Sequence, residues 1–280
     1  MIPSEFDYRA PESVEEAVRE LHESGDEAKL LAGGHSLLPL MKMRLAVPTL
    51  LVDLRRVPGL HSVQRENGTV KIGALTTHAT VAATPELGLA AKAAATIADV
   101  QVRNRGTIGG SLAHGDPASD LPAVLVALEG SVTAHGPGGP REIAAAELFQ
   151  DYLETALAPD EVLTEVRIPA ADGWSFGYQK FNRRSEDWAM VAVAVAVKSS
   201  GGVAEDVRIA MVNMGGRPLR AAAAEGALRG QTIDQATVAA AAALAAEGTD
   251  PPADLNASAD YKRHLAQILT KRALAEAGGL

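Results

Sequence analysis

Ala32-Gly33-Gly34-His35-Ser36 follows a short apolar run, Lys29-Leu30-Leu31, and places two adjacent glycines and a hydroxyl where a strand gives way to a loop. A glycine pair lets the main chain approach an anion closely, because no Cβ intervenes, and successive N–H groups form a concave nest for phosphate oxygens. Further along, Thr107-Ile108-Gly109-Gly110-Ser111 repeats the pattern behind Val102-Arg103-Asn104-Arg105, which brings positive charge. One Gly-Gly pair alone is an ordinary turn former. Two of them, each exposing amides beside a hydroxyl and each behind a run that reads as secondary structure, point to two clamps on one diphosphate, and so to a dinucleotide cofactor.

The commoner phosphate cradles are missing from the sequence. The G-x-G-x-x-G fingerprint of a Rossmann βαβ unit does not occur, and no glycine is followed by the lysine of a P-loop. At 280 residues the chain exceeds the usual single-domain size, so two domains or three compact lobes are expected. Its hydrophobic share of 47% and charged share of 22% are those of an ordinary globular protein. The formal charge of −9 disfavours a nucleic-acid surface, which needs clustered Lys and Arg. There is no cysteine, so thiolate zinc sites, thiol nucleophiles and cysteine-ligated iron–sulfur clusters are excluded from this chain. The first residues carry no basic segment followed by an apolar core, and the longest apolar run, 189–197, is too short to span a bilayer; a cytoplasmic location is the expectation.

Around the first clamp the pattern predicts a small β/α lobe. Ser13 caps a helix with Val14, Ala17, Val18 and Leu21 on one face, ending near Gly25, and 49–54 is strongly β-prone. A second lobe opens near Leu60, with a strand at 70–74, a helical stretch at 80–98 interrupted by Pro85 and Gly88, the second clamp, a helix from Asp120, and strands at 131–134, 141–143 and 161–168. The Pro/Ala/Asp/Gly segment 169–173 reads as a boundary. Three antiparallel strands, 176–183, 188–198 and 207–213, follow, then alanine-rich helices at 220–230 and 233–247 and a last helix at 258–278.

Other constellations carry little chemistry. Gly173-Trp174-Ser175-Phe176-Gly177 matches the nucleophile-elbow motif by letter, but a polar loop precedes it and a strand-like run follows, the reverse of what the elbow needs. None of the seven histidines pairs at helical metal-ligand spacing. His35 and His114 accompany the clamps, where a surface role competes with a cofactor contact. Asp120 is read either as a partner for a cofactor hydroxyl or as a helix cap. Lys180, beside Arg183 and Arg184, is read as a solvated edge from pattern alone, and Trp188 either as core or as a ring that covers a flavin by stacking.

Taken together, the stretch 32–44 (AGGHSLLPLMKMR) and Thr107-Ile108-Gly109-Gly110-Ser111 resemble the FAD-binding medium subunits of molybdenum hydroxylases, the family of the carbon monoxide dehydrogenase medium subunit and the xanthine dehydrogenase FAD subunit. Residues 6–11 (FDYRAP), 115–122 (GDPASDLP) and 258–263 (SADYKR) look like further landmarks of it, so the resemblance runs almost end to end. It implies an α+β fold: a two-lobed FAD-binding domain of the vanillyl-alcohol-oxidase (PCMH) type over 1–172, with lobes of about 1–57 and 58–172, then a smaller domain of three-stranded antiparallel sheet plus helices over 173–280. It also implies noncovalent FAD held by Leu30, Leu31, Ala32, Gly33, Gly34, His35, Ser36 and Leu37, by Thr107, Ile108, Gly109, Gly110 and Ser111, and by Asp120, Leu163 and Lys180, with no catalytic side chain and no metal on this chain. The implied partners are a large molybdenum-cofactor subunit and a small subunit with [2Fe-2S] clusters, assembled as a dimer of heterotrimers. Electrons pass from those clusters through FAD to an external acceptor. Two other readings stay open at this stage: a free-standing FAD-dependent oxidoreductase, and a flavin-free assembly module of the same fold.

Overall fold

The computed structural model describes residues 2–280. Its first region comprises β1 (Asp7–Arg9), α1 (Val14–Ser24), β2 (Ala28–Leu31), α2 (Leu37–Lys42) and β3 (Leu50–Asp53), with the strands in a parallel sheet of order β1-β3-β2. Helix α1 starts where expected: Ser13 Oγ accepts from the Glu16 amide at 3.1 Å, and Glu15 and Glu16 sit at the positive end of the helix dipole. Its apolar face, Ala17, Val18 and Leu21, is buried against the sheet.

The second region holds β4 (Val63–Glu66), β5 (Thr69–Gly73), α3 (His78–Ala82), α4 (Leu89–Ala94), α5 (Val100–Arg103), α6 (Ile108–His114), α7 (Asp120–Ala127), β6 (Ser131–Gly136), β7 (Gly139–Ala144), α8 (Ala145–Leu148), β8 (Phe149–Asp151), β9 (Glu154–Thr155) and β10 (Val162–Pro169). Five of its strands form an antiparallel sheet of order β4-β5-β10-β6-β7, while β8 and β9 make a separate hairpin. Pro85 and Gly88 break the helical stretch between α3 and α4, as the sequence predicts. Helix α7 has no polar face. Leu121, Ala123, Val124, Leu125 and Ala127 are all buried, because the helix lies between this region and the next.

The third region contains β11 (Trp174–Phe181), β12 (Val191–Ser200), β13 (Val203–Val212), β14 (Leu219–Arg220), α9 (Ala222–Leu228), α10 (Gln235–Ala243) and α11 (Ala259–Gly278), with the strands antiparallel in that order. Strand β12 reads VAVAVAV and has two dry faces. Val191, Val193, Val195 and Val197 pack with the helices of this region, whereas Ala192, Ala194 and Ala196 join the core that includes α7. Alternation by two places the larger side chains against helices and the smaller ones where α7 presses close.

Three details depart from the sequence-based expectation. The sheet has a fourth strand, β14, whose two residues are too few to show a period. The second glycine stretch opens helix α6 instead of forming a loop, with Thr107 as its cap. Trp188 lies ahead of β12 and is 57% exposed, so it is not core.

Candidate cofactor-binding site

The two glycine stretches meet. Gly33 packs so closely on the second that a Cβ built on it falls 2.3 Å from the Arg105 carbonyl oxygen and 2.8 Å from Gly106 Cα. A Cβ on Gly109 falls 2.5 Å from Ala74 Cβ and 2.7 Å from its carbonyl oxygen, so α6 is seated directly on the strand end that leaves β5. These glycines are required by close approach of backbones, whereas Gly34 sits at φ +76°, in the left-handed region.

The amides of the two stretches are used differently. Among the described residues, the N–H groups of Gly33, Gly34, His35, Ser36 and Leu37 donate to no protein acceptor, and the Ser36 side chain makes no capping bond to α2. The second stretch is closed: Ile108 N–H donates to Thr76 O (3.0 Å), Gly109 N–H to Ala74 O (2.8 Å), Gly110 N–H to Thr107 Oγ1 (3.1 Å) and Ser111 N–H to Thr107 O (3.0 Å). The expectation that both segments expose amides therefore holds for the first alone. The second contributes a smooth, Cβ-free surface at Gly110 and a hydroxyl at Ser111. The positive charge expected beside it is also partly spent, since the Arg103 guanidinium donates to Ile97 O at 2.7 Å and Ala98 O at 2.9 Å.

A cavity of about 540 Å³ runs along these segments. Leu30, Ala32, Gly33, Gly34, His35, Ser36 and Leu37 line one side, Thr107, Gly109, Gly110 and Ser111 the other, with Leu163 on the wall and Asp120 and Lys180 at the end nearest the third region. Leu31 and Ile108 are not part of the lining, and Ile108 is a core residue at 3% exposure. Trp188, with Glu186 and Asp187, reaches the cavity from the loop between β11 and β12.

Asp120 opens α7 and its side chain is drawn inward. Lys180 Nζ donates to Oδ2 at 2.9 Å and Tyr178 Oη donates to Oδ1, and all three groups are buried. Burial pushes the Asp120 carboxyl up, opposed chiefly by the Lys180 charge, and it pushes the Tyr178 hydroxyl well above its usual range. The cap reading of Asp120 gives way to this network. Lys180, read from pattern as a solvated edge, is inside it. Asp116 lies in the turn ahead of α7, its carboxylate accepting from the Ala118 amide at 2.8 Å.

Sequence reasoning missed His78. It starts α3, is 6% exposed, lines the cavity, and its Nδ1 has no hydrogen-bond partner. Its backbone amide donates to Gly106 O at 2.9 Å, and a Cβ on Gly106 falls 2.7 Å from the imidazole. The ring thus backs the second glycine segment. Burial first, then the nearby His35 and Arg103, lower its pKa to about 4, so the imidazole is neutral at pH 7. Nothing in the local sequence distinguishes it from the other histidines.

A cavity lined by both glycine segments and reached by Lys180 of the third sheet, with no Rossmann signature beside it, suits a dinucleotide-binding protein outside the Rossmann class. Comparison with known proteins is specific. Residues 4–171 match the model of the FAD binding domain in molybdopterin dehydrogenase, and 176–277 that of the CO dehydrogenase flavoprotein C-terminal domain. The chain is 44% identical to the carbon monoxide dehydrogenase medium chain of Hydrogenophaga pseudoflava, over 98% of this chain and 97% of that one. It is 40% identical to the 6-hydroxypseudooxynicotine dehydrogenase complex subunit alpha of Paenarthrobacter nicotinovorans, over 99% and 96%. A solved structure of the Hydrogenophaga pseudoflava carbon monoxide dehydrogenase superposes with a TM-score of 0.96 at 46% identity, covering 99% of this chain and 98% of that one. The chain belongs to the family of FAD-binding medium subunits of molybdenum hydroxylases. It is accordingly an oxidoreductase subunit whose cofactor is FAD.

The residues present suit that cofactor. Open amides at 33–37 are the donors a diphosphate needs, a Cβ-free wall faces them, and an unpaired buried nitrogen stands on the lining.

Proposed function

We propose that this chain is the electron-transfer subunit of a heteromeric molybdenum hydroxylase, taking electrons from [2Fe-2S] clusters on a small partner subunit and releasing them from FAD to an external acceptor. The observation that carries the reading is the open amide cradle at residues 33–37, which shares with Gly110 and Ser111 of α6 a cavity that Asp120 and Lys180 also line. Bound there noncovalently, FAD supplies the redox chemistry that no side chain of this chain carries.

The chain's own residues do the rest. The amides of 33–37 and the hydroxyls of Ser36 and Ser111 hold the diphosphate region, Leu30 and Leu37 flank it, and Leu163 walls the cavity. Asp120 and Lys180 fix the polar environment of the far end. Cysteine is absent, which puts the iron–sulfur clusters on another chain. Two relatives of nearly equal likeness are named for different substrates, carbon monoxide and 6-hydroxypseudooxynicotine. Substrate choice therefore belongs with the molybdenum subunit, and the expected assembly is a dimer of heterotrimers.

A visible spectrum of the purified chain before and after dithionite tests the reading, with the released cofactor identified chromatographically. Flavin bands that bleach, and FAD on release, support it. A colourless chain that also refuses added FAD overturns it in favour of an assembly module, and turnover of an organic substrate without partner chains overturns it in favour of a free-standing oxidase.

A further inference from the structure

Tyr178 and Lys180 are two residues apart on β11, so their side chains leave the same face of the sheet. There they divide one carboxylate between them. Tyr178 Oη donates to Asp120 Oδ1, while Lys180 Nζ donates to Oδ2 at 2.9 Å and to Thr96 O at 3.3 Å. Asp120 is 4% exposed and Tyr178 7%. Asp120 and Lys180 reach the cavity lining, but Tyr178 does not. Whatever Tyr178 does to a bound cofactor, it does through Asp120.

We propose that Tyr178 is a positioning residue for the redox chemistry: its hydrogen bond holds the Asp120 carboxylate in place against Lys180, so that the pair presents no net charge to the FAD in the cavity. The inference deepens the function proposed above and rests on the reading that Asp120 and Lys180 face the flavin. A carboxylate this deep is driven toward its neutral form by desolvation, and the Lys180 charge, the hydrogen bonds from Tyr178 and Lys180 and one from its own backbone oppose that drive. The Tyr178 hydroxyl, held far above its usual pKa, stays a neutral donor throughout the working pH range. Without it, the Asp120 carboxylate is more readily protonated, less negative charge stands against Lys180, and this part of the cavity becomes more positive. That change favours reduced over oxidised flavin and raises the midpoint potential.

The test is a spectroelectrochemical titration of the flavin in the complete chain loaded with FAD, as wild type, Tyr178→Phe and Asp120→Asn. An upward shift of the midpoint potential in both variants, with FAD still bound, is the expected result. A shift in Asp120→Asn but none in Tyr178→Phe overturns the role of the hydroxyl while leaving the pair facing the flavin. No shift in either overturns the proposal together with the reading beneath it. A folded Tyr178→Phe, by circular dichroism, that no longer retains FAD also overturns it, because Tyr178 is then a binding residue.

Discussion

Gly33 illustrates how one missing Cβ holds a site together. Its backbone rests on Arg105 and Gly106, so the added methyl of Gly33→Ala meets a carbonyl oxygen that belongs to a buttressed turn and has no side chain to swing away. Overpacking of this kind costs about 1–3 kcal/mol, and here the strain falls on the spacing of the cofactor walls. The expected result is a lower thermal midpoint and loss of flavin on desalting, checked by melting curves and by the flavin-to-protein absorbance ratio. His78 makes a second prediction at this scale. Its pKa is lowered to about 4 from 6.5, so the unfolded chain binds more protons than the folded one between those values. Stability therefore rises with pH across that window and is lost as pH falls from about 6.5 to about 4, by about 3 kcal/mol from this group. Urea midpoints measured from pH 4 to 7 should show this acid limb in the wild type and a shallower one in His78→Gln. The glycines were legible as letters, since Gly-Gly beside a hydroxyl is rare enough to notice. His78 was not, because its meaning comes from Gly106 and from burial, neither of which has a local signature.

At the scale of the element, period and cap carried most of the reading. Ser13 announced α1, and the run 188–198 announced a strand, whose alternating valines and alanines the structure divides between two cores. The same alternation in β11 puts Tyr178 with Lys180, so the tyrosine was within reach of the sequence once Lys180 was singled out. What failed were the short pieces. Two-residue β14 and the helix α6 built on Gly-Gly go against propensity, and tertiary contacts with β13 and Ala74 hold them in place. Helix α11 supplies a prediction of its own. Lys262 is fully buried in it, yet its ammonium reaches Asp254 Oδ2 at 2.7 Å in the preceding loop. Asp254→Asn leaves that ammonium without its counter-charge and should cost about 2 kcal/mol, whereas Lys262→Met removes charge and demand together and should stay within about 1 kcal/mol of wild type. Chemical denaturation of the two variants separates them, and equal losses would sink the argument.

At the scale of the whole molecule, a dinucleotide cofactor was readable from the two glycine pairs, and FAD in particular from the resemblance of 32–44 and 107–111 to a known family. The way the three regions meet at one cavity was not, for it depends on which faces meet: α7 packed between neighbouring helices and the third region's sheet, Asp120 turned inward, and the second glycine segment using its own amides. No described helix is long and apolar enough to cross a membrane.

The contact between Gly33 and Arg105 is also a seam, joining a segment of the parallel-sheet region to a segment of the antiparallel one. A ligand that lies along a seam is stitched into the tertiary structure of both sides, and by mass action its chemical potential becomes part of their docking free energy. A cofactor held there is then also a structural member. Withholding FAD is therefore expected to lower the thermal midpoint of the chain, and adding it back to raise it.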